Sequence, residues 1–130
     1  MKNREKDFGD IFFKIGKIVR KLHSLNVYHG DLHLKNFIIS NDKIYLLDFD
    51  KSKITSNNSR KIKEILRFLR SMEKFNYFHG NILKKEYIFS FFQGAKLNEK
   101  EIKKILSLTK ISFLKKISWN LNKPIYLKKI

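Results

Sequence analysis

The stretch Val27-Tyr28-His29-Gly30-Asp31-Leu32-His33-Leu34-Lys35-Asn36-Phe37-Ile38-Ile39, resumed at Lys43-Ile44-Tyr45-Leu46-Leu47-Asp48-Phe49-Asp50, decides how this chain is read. Asp31 and Asn36 lie five positions apart in a segment that carries Gly30, and the apolar run Phe37 to Ile39 after them has the composition of a strand. Ser40-Asn41-Asp42 are turn formers, so Lys43 to Leu47 reads as the returning strand of a hairpin. Asp48 then arrives beside the loop that began at Asp31. Carboxylates held close repel unless a proton or a cation lies between them. Asp and Asn oxygens suit a hard ion such as Mg²⁺, which keeps several of its waters and shares its shell with phosphate oxygens. The residues therefore point to a magnesium phosphate site. Two weaker readings stand beside it: a His-x-Asp-x-His transition-metal cluster, which lacks any further Cys or His at ligand spacing, and a turn that gathers two acids by accident.

The same pattern, an Asp and an Asn five apart ahead of a strand pair and a second Asp, resembles the catalytic loop of protein-kinase-like phosphotransferases. His29-Gly30-Asp31-Leu32-His33 with Asn36 is similar to the form found in small-molecule and glycolipid kinases. Arg67-Phe68-Leu69-Arg70-Ser71-Met72-Glu73-Lys74 resembles the R-x-L-R-S-x-x-K helix of the lipopolysaccharide core kinases, the group that includes 3-deoxy-D-manno-octulosonic acid kinase. The resemblance covers about residues 10 to 75. It implies transfer of the γ-phosphoryl group of ATP to a sugar hydroxyl of an anionic glycolipid, the lipopolysaccharide core.

By that resemblance Asp31 is the base that accepts the sugar hydroxyl proton, and His33 steadies the transferred phosphoryl group. Asn36 and Asp48 hold Mg²⁺ against the nucleotide phosphates. Asp50 stands where protein kinases have Gly and is a further metal or supporting residue, while His29 orients the loop. The implied fold is mostly α with a small β-hairpin, a protein kinase-like C-terminal lobe. The 28 residues before His29 read as one helix, so a nucleotide lobe with its Gly-rich loop and strand lysine is expected to be lacking. An incomplete enzyme follows. An aminoglycoside or choline kinase-like phosphotransferase shares His-Gly-Asp-Leu-His, and a non-catalytic kinase-like lobe that binds membranes or polyanions is the alternative from another class.

A chain of 130 residues is one domain by length, with residues 27–50 as catalytic loop and metal site and 96–130 as a basic helical part. It has no cysteine, which excludes disulfides and thiolate metal sites and suits a cytoplasmic protein. The charged N-terminus is neither signal peptide nor membrane span. A net charge of +17 invites a nucleic-acid or membrane reading, but one Ala and one Pro amid abundant Lys, Ile and Asn speak of codon bias. The positive field that remains favours nucleotide, phosphorylated glycolipid or an acidic membrane face over nucleic acid.

Helical periodicity marks Asp10 to Leu25, with Ile11, Phe12, Ile15, Ile18, Val19 and Leu22 on one face and Lys14, Lys17, Arg20 and Lys21 on the other. A polar loop is expected over 51–59, a helix capped by Asn58 or Ser59 through about Phe75, and a connection from Phe75 to Gly80. Lys84 to Phe92 reads as a short aromatic helix. Asn98 with Glu101 forms a capping box ahead of Ile102, Ile105 and Leu106. Arg60, Arg67 and Arg70 have the reach to meet phosphates or an acidic loop. His23 and His79 read as surface or satisfied histidines. Beyond Ile111 a last helix and an extended end are expected, with Trp119 at a lipid interface.

Overall fold

The computed structural model describes residues 4–109, with side chains from Phe8 onward. Helix α1 spans Arg4–Ser24 and buries Phe12, Ile15 and Val19, while Lys14, Lys17, Arg20 and Lys21 face solvent as the periodicity requires. Helix α3, Lys85–Gly94, lies against it. The crossing is close because glycines meet there. A Cβ on Gly16 would overlap the carbonyl of Phe91, and one on Gly94 would overlap the carbonyl of Phe13. Aromatic residues fill the space beside the crossing: Phe12 stacks on Tyr87 with centroids 5.8 Å apart, and Phe91 on Phe68 at 4.8 Å.

Phe68 belongs to α2, Asn58–His79, whose N-terminus is capped by the Asn57 side chain accepting from the Ser59 amide. Ile62, Ile65, Phe68, Leu69 and Met72 form its buried stripe. The helix continues past Phe75, where the sequence suggests a connection. Nothing in Asn76-Tyr77-Phe78-His79 breaks a helix, and Asn76 is pinned by two buried bonds, to the amide and the carbonyl of Leu83 at 2.8 Å each. Helix α4, Glu99–Leu108, opens on the Asn98–Glu101 capping box and buries Ile102, Ile105 and Leu106.

The strands are short. β2, Phe37–Ser40, pairs antiparallel with β3, Lys43–Leu46, around Asn41 and Asp42, both at positive φ as a two-residue hairpin turn demands. Phe37 packs edge-on against Phe68 at 5.6 Å and ties the hairpin to the helical body. The stretch 51–59 is not wholly loop: β4, Lys53–Ile54, pairs with β1, Val27–Tyr28. That pairing is invisible in a polar sequence because it depends on a long-range partner. Asn26, at φ +60°, accepts from the Thr55 amide, and Lys61 reaches back to the carbonyl of His23. The chain is thus mostly helical with small antiparallel strand pairs. Of the basic C-terminal part, α4 falls within the described residues. The expected last helix and extended end, with Trp119, fall outside them.

The crossing yields a direct prediction. Gly94→Ala forces backbone apart and should lower the stability read from urea unfolding by about 2–3 kcal/mol. Gly9 lies in the same helix pair, but a methyl group added there would meet only the Ser90 hydroxyl, at 3.7 Å. Gly9→Ala should therefore be neutral or stabilising by up to about 1 kcal/mol.

Candidate functional site

One face of α2 carries the loop from His29 to Asn36. Glu64, Arg67 and Ser71 recur at i, i+3 and i+7, so they project along one stripe. The Glu64 carboxylate, buried, accepts from the His29 amide at 3.1 Å and the Gly30 amide at 2.8 Å, and from the His23 ring at 2.9 Å. Arg67 Nη2 donates to Asp31 Oδ1 at 2.8 Å. Ser71 Oγ accepts from the Leu34 amide at 3.0 Å and donates to the Phe68 carbonyl. Between these supports Leu32 is completely buried, which fixes the loop by packing as well as by polar contacts.

Gly30 is required by this path. It sits at φ +91°, and a Cβ there would overlap the Lys51 carbonyl. His29 is fully buried and uses both ring nitrogens. The Asp31 amide donates to Nδ1 at 3.1 Å, which leaves Nε2–H to donate to the Leu47 carbonyl at 2.9 Å. The ring also meets Phe49 edge-on at 4.8 Å. His29 therefore bonds the loop to the end of the hairpin and presents neither nitrogen to solvent.

Asp31 and Asn36 are brought together: Asn36 Nδ2 donates to the Asp31 carbonyl at 2.7 Å, which leaves Oδ1 as the amide's atom for a cation. The backbone next to Asp48 is tied to the same loop, since the Leu47 amide donates to the Asn36 carbonyl at 2.8 Å. Asp48 itself adopts φ +63° and is exposed. Asp50 is exposed in the turn closed by Ser52 N to the Phe49 carbonyl. His33 caps the short 3₁₀ turn Leu34–Asn36 through Nδ1, accepting from Lys35 N, and holds Nε2 3.6 Å from Asp31 Oδ2. Among the described residues no three His, Cys, Asp or Glu side chains gather to hold a metal ion. An amide oxygen with one or two carboxylates suits instead a cation that completes its shell with water and phosphate.

Burial pushes the Asp31 carboxyl up, but the Arg67 hydrogen bond and the electrostatic pull of His33, Arg67 and Lys51 outweigh it and hold it below the ordinary 3.8. Sequence reasoning missed Glu64. Its signal was an acid four residues ahead of Phe68 on the buried face of α2, a costly placement unless the charge has donors waiting. Of the arginines, Arg67 meets the acidic loop and Arg60 lies over the Tyr28 ring at 5.9 Å. His23 is satisfied by Glu64, and His79 packs on Phe75.

The lipopolysaccharide kinase (Kdo/WaaP) family matches residues 4–104. This chain belongs to that family. It is 36% identical over 66 residues to a 3-deoxy-D-manno-octulosonic acid kinase of Vibrio cholerae, across 50% of this chain and 28% of that protein. It is also 34% identical over 101 residues to the EKC/KEOPS complex subunit BUD32 of Enterocytozoon bieneusi, covering 78% of this chain and 46% of the relative. A probable bifunctional tRNA threonylcarbamoyladenosine biosynthesis protein of Methanosphaera stadtmanae is 34% identical over 110 residues, 83% of this chain and 19% of its own length. The chain thus spans less than half the length of each of these relatives.

Two outcomes are expected of the support stripe. Glu64→Ala strands three donors, the buried His29 amide and the half-buried Gly30 amide and His23 ring, and should cost about 3 kcal/mol in urea unfolding, with faster amide exchange at His29 and Gly30. Asp31 has a folded pKa below its unfolded one, so the stability from its pair with Arg67 is complete above about pH 3.8 and is lost as pH falls through the lower folded value. Arg67→Gln should therefore raise the pH midpoint of acid unfolding followed by circular dichroism.

Proposed function

We propose that this chain forms the acceptor and metal side of a kinase that moves the γ-phosphoryl group of ATP onto a sugar hydroxyl of the lipopolysaccharide core. The observation that carries the reading is the α2 stripe: the helix resembling the core-kinase motif is the element that touches Asp31 and Leu34. Asp31 is the base toward the sugar hydroxyl. A carboxylate of low pKa is a weak base, but phosphoryl transfer asks it chiefly to orient the hydroxyl, since the bond to phosphorus is little formed in a loose transition state. His33, beside Asp31, steadies the transferred group. Asn36 and Asp48, with Asp50 behind them, are the residues that would hold Mg²⁺, whose charge would offset that of the ATP phosphates.

A second reading rests on one observation, that the relatives named for BUD32 and for tRNA threonylcarbamoyladenosine biosynthesis align over more of this chain than the sugar kinase does. On that reading the +17 charge faces tRNA. Saturable binding of a labelled tRNA at about 150 mM salt, absent with a lipopolysaccharide core acceptor, would move the assignment there.

Residues 4–24 are one helix, and none of the described strands offers a Gly-rich turn over phosphates. The 130-residue chain by itself should show weak magnesium-dependent ATP binding and no transfer at an enzymatic rate, because fixing the phosphate is most of the catalysis. Calorimetry should find that binding lost in Asp48→Ala and kept in Asp31→Asn. Robust transfer to lipopolysaccharide core, abolished by Asp48→Ala, would instead make the chain a complete enzyme. Transfer unaffected by either substitution would refute the site.

A further inference from the structure

Arg67 faces two ways. It holds Asp31, and it also lines a broad groove of about 1820 Å³ that runs along the outer side of α2 from His33 and Lys35 toward the N-terminus of α3. Among the described residues, Lys35, Arg70, Lys74, Lys84 and Lys85 line the same groove with a single carboxylate, that of Glu73. A concave surface with so uneven a charge concentrates anions. Arg67 is 59% exposed where it meets Asp31, so the pair is reachable by solvent and by a competing anion.

Meanwhile Asp31 is held on one oxygen, Arg67 donating to Oδ1, while His33 Nε2 stands 3.6 Å from Oδ2, beyond hydrogen-bond distance. The oxygen bonded to Arg67 is a poorer acceptor for a sugar hydroxyl than a free one, because its charge is already shared with the guanidinium. A guanidinium fork binds a phosphate or carboxylate in two parallel bonds, and a dianion competes well against one bond to a single carboxylate oxygen.

We propose that this groove binds an anionic substituent of the acceptor, a phosphate or carboxylate, and that Arg67 passes from Asp31 to that group when it arrives. The acceptor would then release its own base. An acceptor lacking the anion would leave Asp31 latched, which makes the pair a selectivity device as well as a contact. The inference rests on the reading of Asp31 as base, but its test needs neither nucleotide nor turnover. Failed exchange would leave the kinase assignment intact, and failed transfer with intact exchange would leave the groove intact.

The experiment is a titration of the isotope-labelled chain with inorganic phosphate, without magnesium and at constant ionic strength, followed by NMR at the Arg67 guanidinium and the Asp31 carboxyl. Both signals should move together and saturate. Asp31→Asn, which frees Arg67 beforehand, should bind phosphate about 3–10-fold more tightly, and Arg67→Gln or Arg70→Gln should weaken it about 10-fold. Asp48→Ala removes the same unit of charge and a residue proposed to face the nucleotide, and it should change the affinity less than about twofold. Equal affinity in wild type and Asp31→Asn, or an equal gain in Asp48→Ala, would overturn the proposal. So would phosphate shifts that leave Arg67 and Asp31 unmoved. Should Asp31→Asn fail to fold, the paired movement of the two wild-type signals decides alone.

Discussion

The structure depends on a buried carboxylate that is never left without donors. Glu64 sits in the apolar face of α2, where an unpaired charge would be too costly to keep, and its oxygens are met by two consecutive backbone amides and a histidine ring. Backbone amides cannot be moved without moving the chain. The turn at His29 and Gly30 is therefore placed to within hydrogen-bond tolerance, and everything proposed for Asp31 inherits that placement. Arg67 and Ser71 add two further ties from the same helix face. The loop from His29 to Asn36 is irregular, and a regular helix supplies the ruler against which it is held.

The helical body serves the same end. α1 and α3 approach closely enough to need glycine on both sides, and the aromatic residues packed beside them present Phe68 to the hairpin through Phe37. Close-packed interiors transmit displacement instead of absorbing it. The loop is thus braced from below by a core and from the side by a polar stripe. Both run through α2, which explains why the motif-bearing helix also carries so much of the buried core. The cation-lined groove begins at that same stripe, since Arg67 and Ser71 line it, so α2 joins the buried core to the groove.

Much of this was legible in the residues. The α1 stripe, the hairpin with its Asn41-Asp42 turn and the Asn98–Glu101 box were written in local chemistry, which needs no partner from elsewhere in the chain. The return of the chain was legible too, because hairpin geometry alone carries Leu47, the residue before Asp48, back to the Asn36 carbonyl. What escaped was whatever depended on distant partners. Lys53 and Ile54 have the look of loop and become strand only because Val27 and Tyr28 are there to pair with them. Residues 76–79 look like a connection but stay helical because Leu83 returns to satisfy Asn76. Glu64 has the look of a surface acid, and only the fold reveals the amides it serves.

His29 carries a consequence of a different kind. Its ring spans the gap between the Asp31 amide and the Leu47 carbonyl, while the Leu47 amide is held by Asn36. Asp31 and the hairpin end that leads to Asp48 are therefore not independent parts mounted on a scaffold. They are coupled like two arms of a lever with the imidazole as its fulcrum, so a displacement of the backbone at Leu47 pulls on the backbone that carries Asp31. Replacing that ring with any side chain unable to accept at one end and donate at the other would uncouple the arms even if each stayed in place.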